Sequence, residues 1–171
     1  MTMNSNSTTS SAGQARFPDP IPGILPFGTL TIFAGAPGVG KTAMLAAWIA
    51  RWRDGRTICG RPTCPPTGFY YLAGDRQWTS HAQWFAAVGF PEIPHYSLVD
   101  DRTRQLGQFY NPRLSHQLFL ESLDKLKPVP GSHVFVDPVA PLYIPGDPNK
   151  SRDVALAMLG FSRVCTDYQI N

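Results

Sequence analysis

The run Gly35-Ala36-Pro37-Gly38-Val39-Gly40-Lys41-Thr42 has the residue types and spacing to hold a polyphosphate. It fits the pattern G-x-x-x-x-G-K-S/T, in which each part has a physical task. Glycines at 35, 38 and 40 allow backbone turns that side chains forbid, so successive N–H groups can point at one anion. A helix beginning near Lys41 adds the positive end of its dipole to the same anion. Lys41 is placed to reach β- and γ-phosphates, and the Thr42 hydroxyl is a ligand type suited to Mg²⁺. Together these residues predict binding of a nucleoside triphosphate.

Two acids are candidates for the rest of such a site. Asp137 closes the apolar run His133-Val-Phe-Val, where a carboxylate can hold Mg²⁺ through water. Strands also end in Asp for turn chemistry alone, so the phosphate loop is what gives this acid its meaning. Asp75 follows Tyr70-Tyr-Leu-Ala-Gly74, at the edge of a parallel sheet where ligands bind. It could orient an attacking water, or it could pair with Arg76 in a turn. The other reactive side chains offer less. Cys59 and Cys64 lack partners at zinc-finger spacing, and an odd count of three cysteines suits reduced thiols in a cytoplasmic protein. His81, His95, His116 and His133 show no metal spacing and read as structural or surface residues.

These residues need elements to position them. Thr29–Ala34 is β-branched and aromatic and predicts a buried strand leading into the loop. Lys41–Arg53 predicts a helix that Gly55 stops. A second strand is expected over 68–73, a helix over 77–88 with Trp78, Phe85 and Val88 inward, and a short strand over 95–99. Pro112 opens a helix to about Leu126 with Leu114, Leu118, Leu123 and Leu126 apolar. The strand 133–137, a Pro-rich loop from Pro138 to Pro148 and a helix over 151–167 complete the chain. Trp48, Trp52, Trp78 and Trp84 sit at helical spacings that suit core packing better than base stacking. Alternating strands and helices predict an α/β fold with a parallel sheet.

Composition narrows the class. With 171 residues, 43% hydrophobic and 12% aromatic, the chain can build one core and is not disordered as a whole. Its net charge of +3 gives no strong nucleic-acid signature. No apolar run approaches the roughly 20 residues that span a bilayer, which argues against an integral membrane protein. Residues 1–16 are Ser/Thr/Asn-rich and read as a tail without secretory features, leaving 17–171 as one nucleotide-binding domain.

The stretch Gly23–Thr42 resembles the opening of RecA-like P-loop ATPases, in particular the branch of plasmid and phage RepA-type hexameric helicases with AAA-type domains. Tyr70–Asp75 resembles that family's strand ending in the catalytic acid, and Val134–Leu142 with Gly146-Asp147 resembles its second nucleotide motif. The resemblance runs from about Pro22 to Asp167. It implies a three-layer parallel sheet of the RecA-like type, ATP on the 35–42 loop, Mg²⁺ near Thr42 and Asp137, and water activation from position 75. The family usually has Glu there, and Asp is one methylene shorter. The resemblance also implies single-stranded DNA as a partner and a hexameric ring. In the family the helix matching 151–167 leads into a further strand, and later elements supply a trans-acting cation, so the core reads as incomplete at its C-terminal edge. Two other functions remain open: a nucleotide-binding or docking protein without significant hydrolysis, and a small-molecule or nucleotide kinase. The stretch 138–148 lacks the arginines that a kinase lid would bring.

Overall fold

The computed structural model describes residues 17–32, 34–36, 38–74, 77–97, 112–137 and 151–171, with the side chains of 112–116 and 118 excepted. The tail before residue 17, Pro37, Asp75, Arg76, Asp100, Asp101 and the loop Pro138–Pro148 fall outside these residues.

Among the described residues three parallel strands form the sheet: β1 (Phe69–Ala73), β2 (His95–Ser97) and β3 (His133–Asp137), in the order β2-β1-β3. The helices that accompany them among the described residues are α1 (Lys41–Arg53), α2 (Trp78–Ala87), α3 (Pro112–Leu126) and α4 (Ser151–Tyr168). Parallel neighbours need crossovers, and helices supply them. The chain passes from β1 through α2 to β2 on one side, then returns through α3 to β3 on the other. When the strand order reverses while crossover handedness stays the same, the two helices fall on opposite faces.

The core divides accordingly. On one face Ala46, Ile49 and Trp52 of α1 and Phe85 of α2 pack on Phe69, Tyr71 and Ala73 of β1. On the other, Phe119 and Leu123 of α3 and Phe161 and Val164 of α4 pack around Leu72. The alternation of a strand produces this split, since successive side chains point to opposite faces. Tyr71 and Leu72 are adjacent, both fully buried, and belong to different cores. The fold is therefore α/β with three layers, helix pair on sheet on helix pair.

One expected element differs. Among the described residues, Thr29–Ala34 forms no strand, and Ile32 is 53% exposed. A strand needs a free sheet edge about 4.8 Å away. The edge of β3 on this side is met by Asn171 instead: its N–H donates to Ser132 O at 2.9 Å, and its O accepts from Val134 N–H at 2.6 Å. Asn171 also accepts the Thr29 N–H on Oδ1 at 2.9 Å, so it stands between segment 29–35 and β3. Further along, an apolar cavity of about 510 Å³ separates the two, with Leu30 and Ile32 on one wall and Val134 and Val136 on the other.

Trp84 also departs from expectation, being 42% exposed on the outer face of α2. Trp52 is buried, and its Nε1–H donates to Cys64 O at 2.9 Å, which ties the 56–67 loop to α1.

Candidate functional site

The phosphate-loop residues stand at the start of α1. Gly38 and Gly40 have φ of +79° and +86°, a region that L side chains rarely adopt, so the two glycines are required by the turn itself. Gly40 is the N-cap of α1, and no side chain caps the helix there. The first-turn amides of Lys41, Thr42 and Ala43 are thus not taken by a capping side chain, and no acidic residue in that turn opposes an anion. Lys41 folds back over the loop, its Nζ donating to Gly35 O and Ala36 O at 2.8 Å each. Val39 projects outward at 64% exposure.

Asp137 meets this loop from the sheet. Thr42 Oγ1 donates to Asp137 Oδ2 at 2.5 Å, joining residues 95 apart in sequence. The contact puts a hydroxyl and a carboxylate oxygen side by side, both hard donors suited to Mg²⁺. The hydroxyl oxygen keeps lone pairs while it donates its proton toward the carboxylate. Asp137 sits at the C-terminal end of β3, beside β1, where the strand order reverses. Open α/β sheets bind ligands at such a switch point. Gly74 N–H donates to Asp137 O at 2.9 Å, which fixes the backbone of the acid against the end of β1.

Gly35, Lys41 and Asp137 also line the cavity between segment 29–35 and β3. Lys41 is the only Lys or Arg among the described residues on its wall. The structure thus brings together Gly35, Ala36, Lys41, Thr42 and Asp137, with Gly38, Val39 and Gly40 shaping the turn between them. Pro37 and Asp75 lie outside the described residues.

The sequence reading overlooked two residues. Tyr71 Oη donates to Asp137 Oδ2 at 2.8 Å and lies 3.0 Å from His81 Nδ1. In the register of the sheet Tyr71 faces Phe135 and Ala73 faces Asp137, so the tyrosine reaches the acid diagonally past a small side chain. His81 is 4% exposed, on the same face of α2 as Trp78 and Phe85. That 78-81-85-88 stripe was legible as a buried face and carried the signal that His81 is not at the surface.

The remaining reactive groups stay apart. Among the described residues no three His, Cys, Asp or Glu side chains gather as a metal cluster. Cys59 is exposed, Cys64 half-buried and Cys165 buried, all as free thiols, and burial pushes the Cys165 thiol up to about 11. Among the described residues no helix is long and apolar enough to cross a membrane.

No curated protein and no solved structure matches the chain. The family model described as an AAA domain matches residues 6–171. With nearly every residue inside that match, and with the strand-edge acid meeting the hydroxyl of the phosphate loop, the chain belongs to the AAA domain family as a P-loop ATPase module.

Proposed function

We propose that the chain binds ATP with Mg²⁺ on residues 35–42 and Asp137, within a single nucleotide-binding domain over 17–171. The Thr42–Asp137 contact carries this reading, because it places an oxygen-donor pair at the first turn of the helix that receives the phosphates. The loop amides and the α1 dipole hold the phosphates, and Lys41 turns from the loop carbonyls to the bound anion. Bound Mg²⁺ would neutralise charge on the phosphates. Asp75, one position beyond the Gly74 amide that bonds Asp137 O, is the proposed group for orienting water.

The broader role we propose is a helicase-type motor of DNA replication or repair from a mobile element, working as a cytoplasmic hexameric ring on single-stranded DNA. The resemblance of three motifs in order supports it. The test is calorimetric titration of Mg-ATP into the purified chain and into Lys41→Ala, followed by turnover with and without single-stranded DNA. Wild-type binding, a loss of about tenfold or more in Lys41→Ala and stimulation by DNA are expected, since one lost charge-assisted contact is worth about 1.5–3 kcal/mol. Binding that Lys41→Ala leaves intact would falsify the assignment of the loop.

A second reading has one observation in its favour. Phosphoryl transfer needs a cation for charge that develops in the transition state, and no described Arg or Lys besides Lys41 lines the cavity at the loop. A nucleotide-binding or docking protein without significant hydrolysis fits that arrangement. Turnover by the isolated chain at about 1 s⁻¹ or faster, an ordinary enzyme rate, removes it.

A further inference from the structure

A second layer of buried polar groups stands behind the Thr42–Asp137 contact, and the nucleotide reading does not by itself call for it. Thr42 Oγ1 and Tyr71 Oη both donate to the same oxygen, Asp137 Oδ2, at 2.5 and 2.8 Å. Two donors converging on one oxygen from different elements, α1 and β1, fix the rotation of the carboxylate. Tyr71 is fully buried and His81 is 4% exposed, so the hydrogen bonds between them operate in a low-dielectric setting where they are strong.

Proton counting sets the direction. A phenol has one proton, and here Tyr71 Oη donates it in a hydrogen bond to Asp137 Oδ2. The 3.0 Å contact between Tyr71 Oη and His81 Nδ1 then requires the histidine to donate, because Tyr71 has no second proton to give. The imidazole therefore carries its hydrogen on Nδ1. A chain of donors runs from His81 Nδ1–H to Tyr71 Oη–H to Asp137. Its rings are held by packing: Tyr71 lies edge-on to Phe85 at 4.9 Å, and Trp78 stacks on His81 at 6.3 Å.

We propose that Tyr71 and His81 are positioning residues that hold Asp137 in the orientation that receives Mg²⁺ on the phosphate loop. This rests on the nucleotide reading above and deepens it. Tyr71 acts on the carboxylate directly, and His81 acts through Tyr71 by keeping the phenol proton directed at Asp137. Neither is among the residues that line the cavity at the loop. Partners of this kind behind a metal-binding residue change metal affinity by about 10–100-fold when removed.

The experiment measures ATP affinity across a Mg²⁺ series, including a point in EDTA, for wild type, Tyr71→Phe, His81→Leu and His81→Gln. Thermal unfolding runs in parallel. Tyr71→Phe keeps the ring and removes only the hydroxyl. The expected result is unchanged ATP affinity in EDTA, with the Mg²⁺ midpoint raised about 10-fold or more in Tyr71→Phe and His81→Leu. His81→Gln, whose amide can donate to Tyr71 Oη, should recover part of the loss. Wild-type Mg²⁺ dependence in folded Tyr71→Phe overturns the assignment and leaves the nucleotide reading standing. Absence of ATP binding by the wild-type chain overturns both. A second measurement needs no variant: nitrogen-15 NMR of wild-type His81 should show a hydrogen on Nδ1. The opposite tautomer overturns the proposal.

Discussion

At the scale of single residues, the site and the core make opposite uses of histidine. His81 is placed beside a polar chain leading to Asp137. His133 is packed against Trp52 at 4.7 Å, and burial pushes it down to about 4. The direction of that displacement makes a pH prediction. A buried neutral imidazole has a folded-state value below the unfolded value of about 6.5, so acid favours the unfolded chain. The stability held by neutral His133 is fully present above about pH 6.5 and is lost as pH falls toward 4. Two and a half pH units at about 1.4 kcal/mol each give a loss on the order of 3 kcal/mol from this group. His133→Phe keeps an aromatic ring and has no proton to bind. Denaturant unfolding from pH 7 to 4 should show a shallower loss in the variant than in wild type. Parallel pH profiles for the two proteins would count against His133 as the source.

At the scale of elements, α1, α2 and α4 end in a shared way, and only part of it was readable. Past α1 the chain turns on Gly55, with Arg56 N–H on Arg51 O at 2.8 Å and Gly55 N–H on Trp52 O at 3.0 Å. Past α2 it turns on Gly89, with Phe90 N–H on Phe85 O and Gly89 N–H on Ala86 O. These are paired reverse bonds around a left-handed residue, for which glycine is the usual choice. Past α4 the same bonds recur, Ile170 N–H on Cys165 O and Gln169 N–H on Thr166 O, but the left-handed residue is Gln169 at φ +52°. A glycine marks such a turn in the sequence, whereas a glutamine does not. The turn matters because it delivers Ile170 to the core and Asn171 to the edge of β3. Gln169→Gly removes a left-handed penalty of about 1 kcal/mol and should raise the unfolding midpoint. A lowered midpoint would mean that the glutamine side chain contributes more than its backbone costs.

At the scale of the molecule, β1 couples two cores that, among the described residues, share no side chain. Ile49 of α1 is fully buried on one face of the sheet and Leu123 of α3 on the other. If the layers behave as one cooperative unit, truncation on either face must weaken the whole. Ile49→Ala and Leu123→Ala should each cost about 2–5 kcal/mol. Each should shift a single transition, seen together by tryptophan fluorescence and by circular dichroism. Two separated transitions in either variant would show that the faces unfold independently. The sheet's adjacent residues Tyr71 and Leu72 give the physical reason to expect one, since displacing either moves the strand that carries both.

The sequence by itself determined the parts of this protein that depend on near neighbours. The 35–42 turn, the helix after it, the strand His133–Asp137 and the helices near 78, 112 and 151 follow from local pattern, glycine placement and apolar period. Asp137 was legible as a candidate because it ends an apolar strand beside a phosphate-loop motif. What only tertiary structure decided was which distant residues meet. Thr42 and Asp137 lie 95 positions apart and Tyr71 and Asp137 lie 66 apart, and their contacts depend on strand order and register. The edge of β3 also decided that the described residues of Thr29–Ala34, strand-like in composition, form no strand, because pairing requires an open edge within reach and Asn171 occupies the start of it. Local pattern specifies what a segment can become. The long-range packing of the sheet decides whether it finds the partner that makes it so.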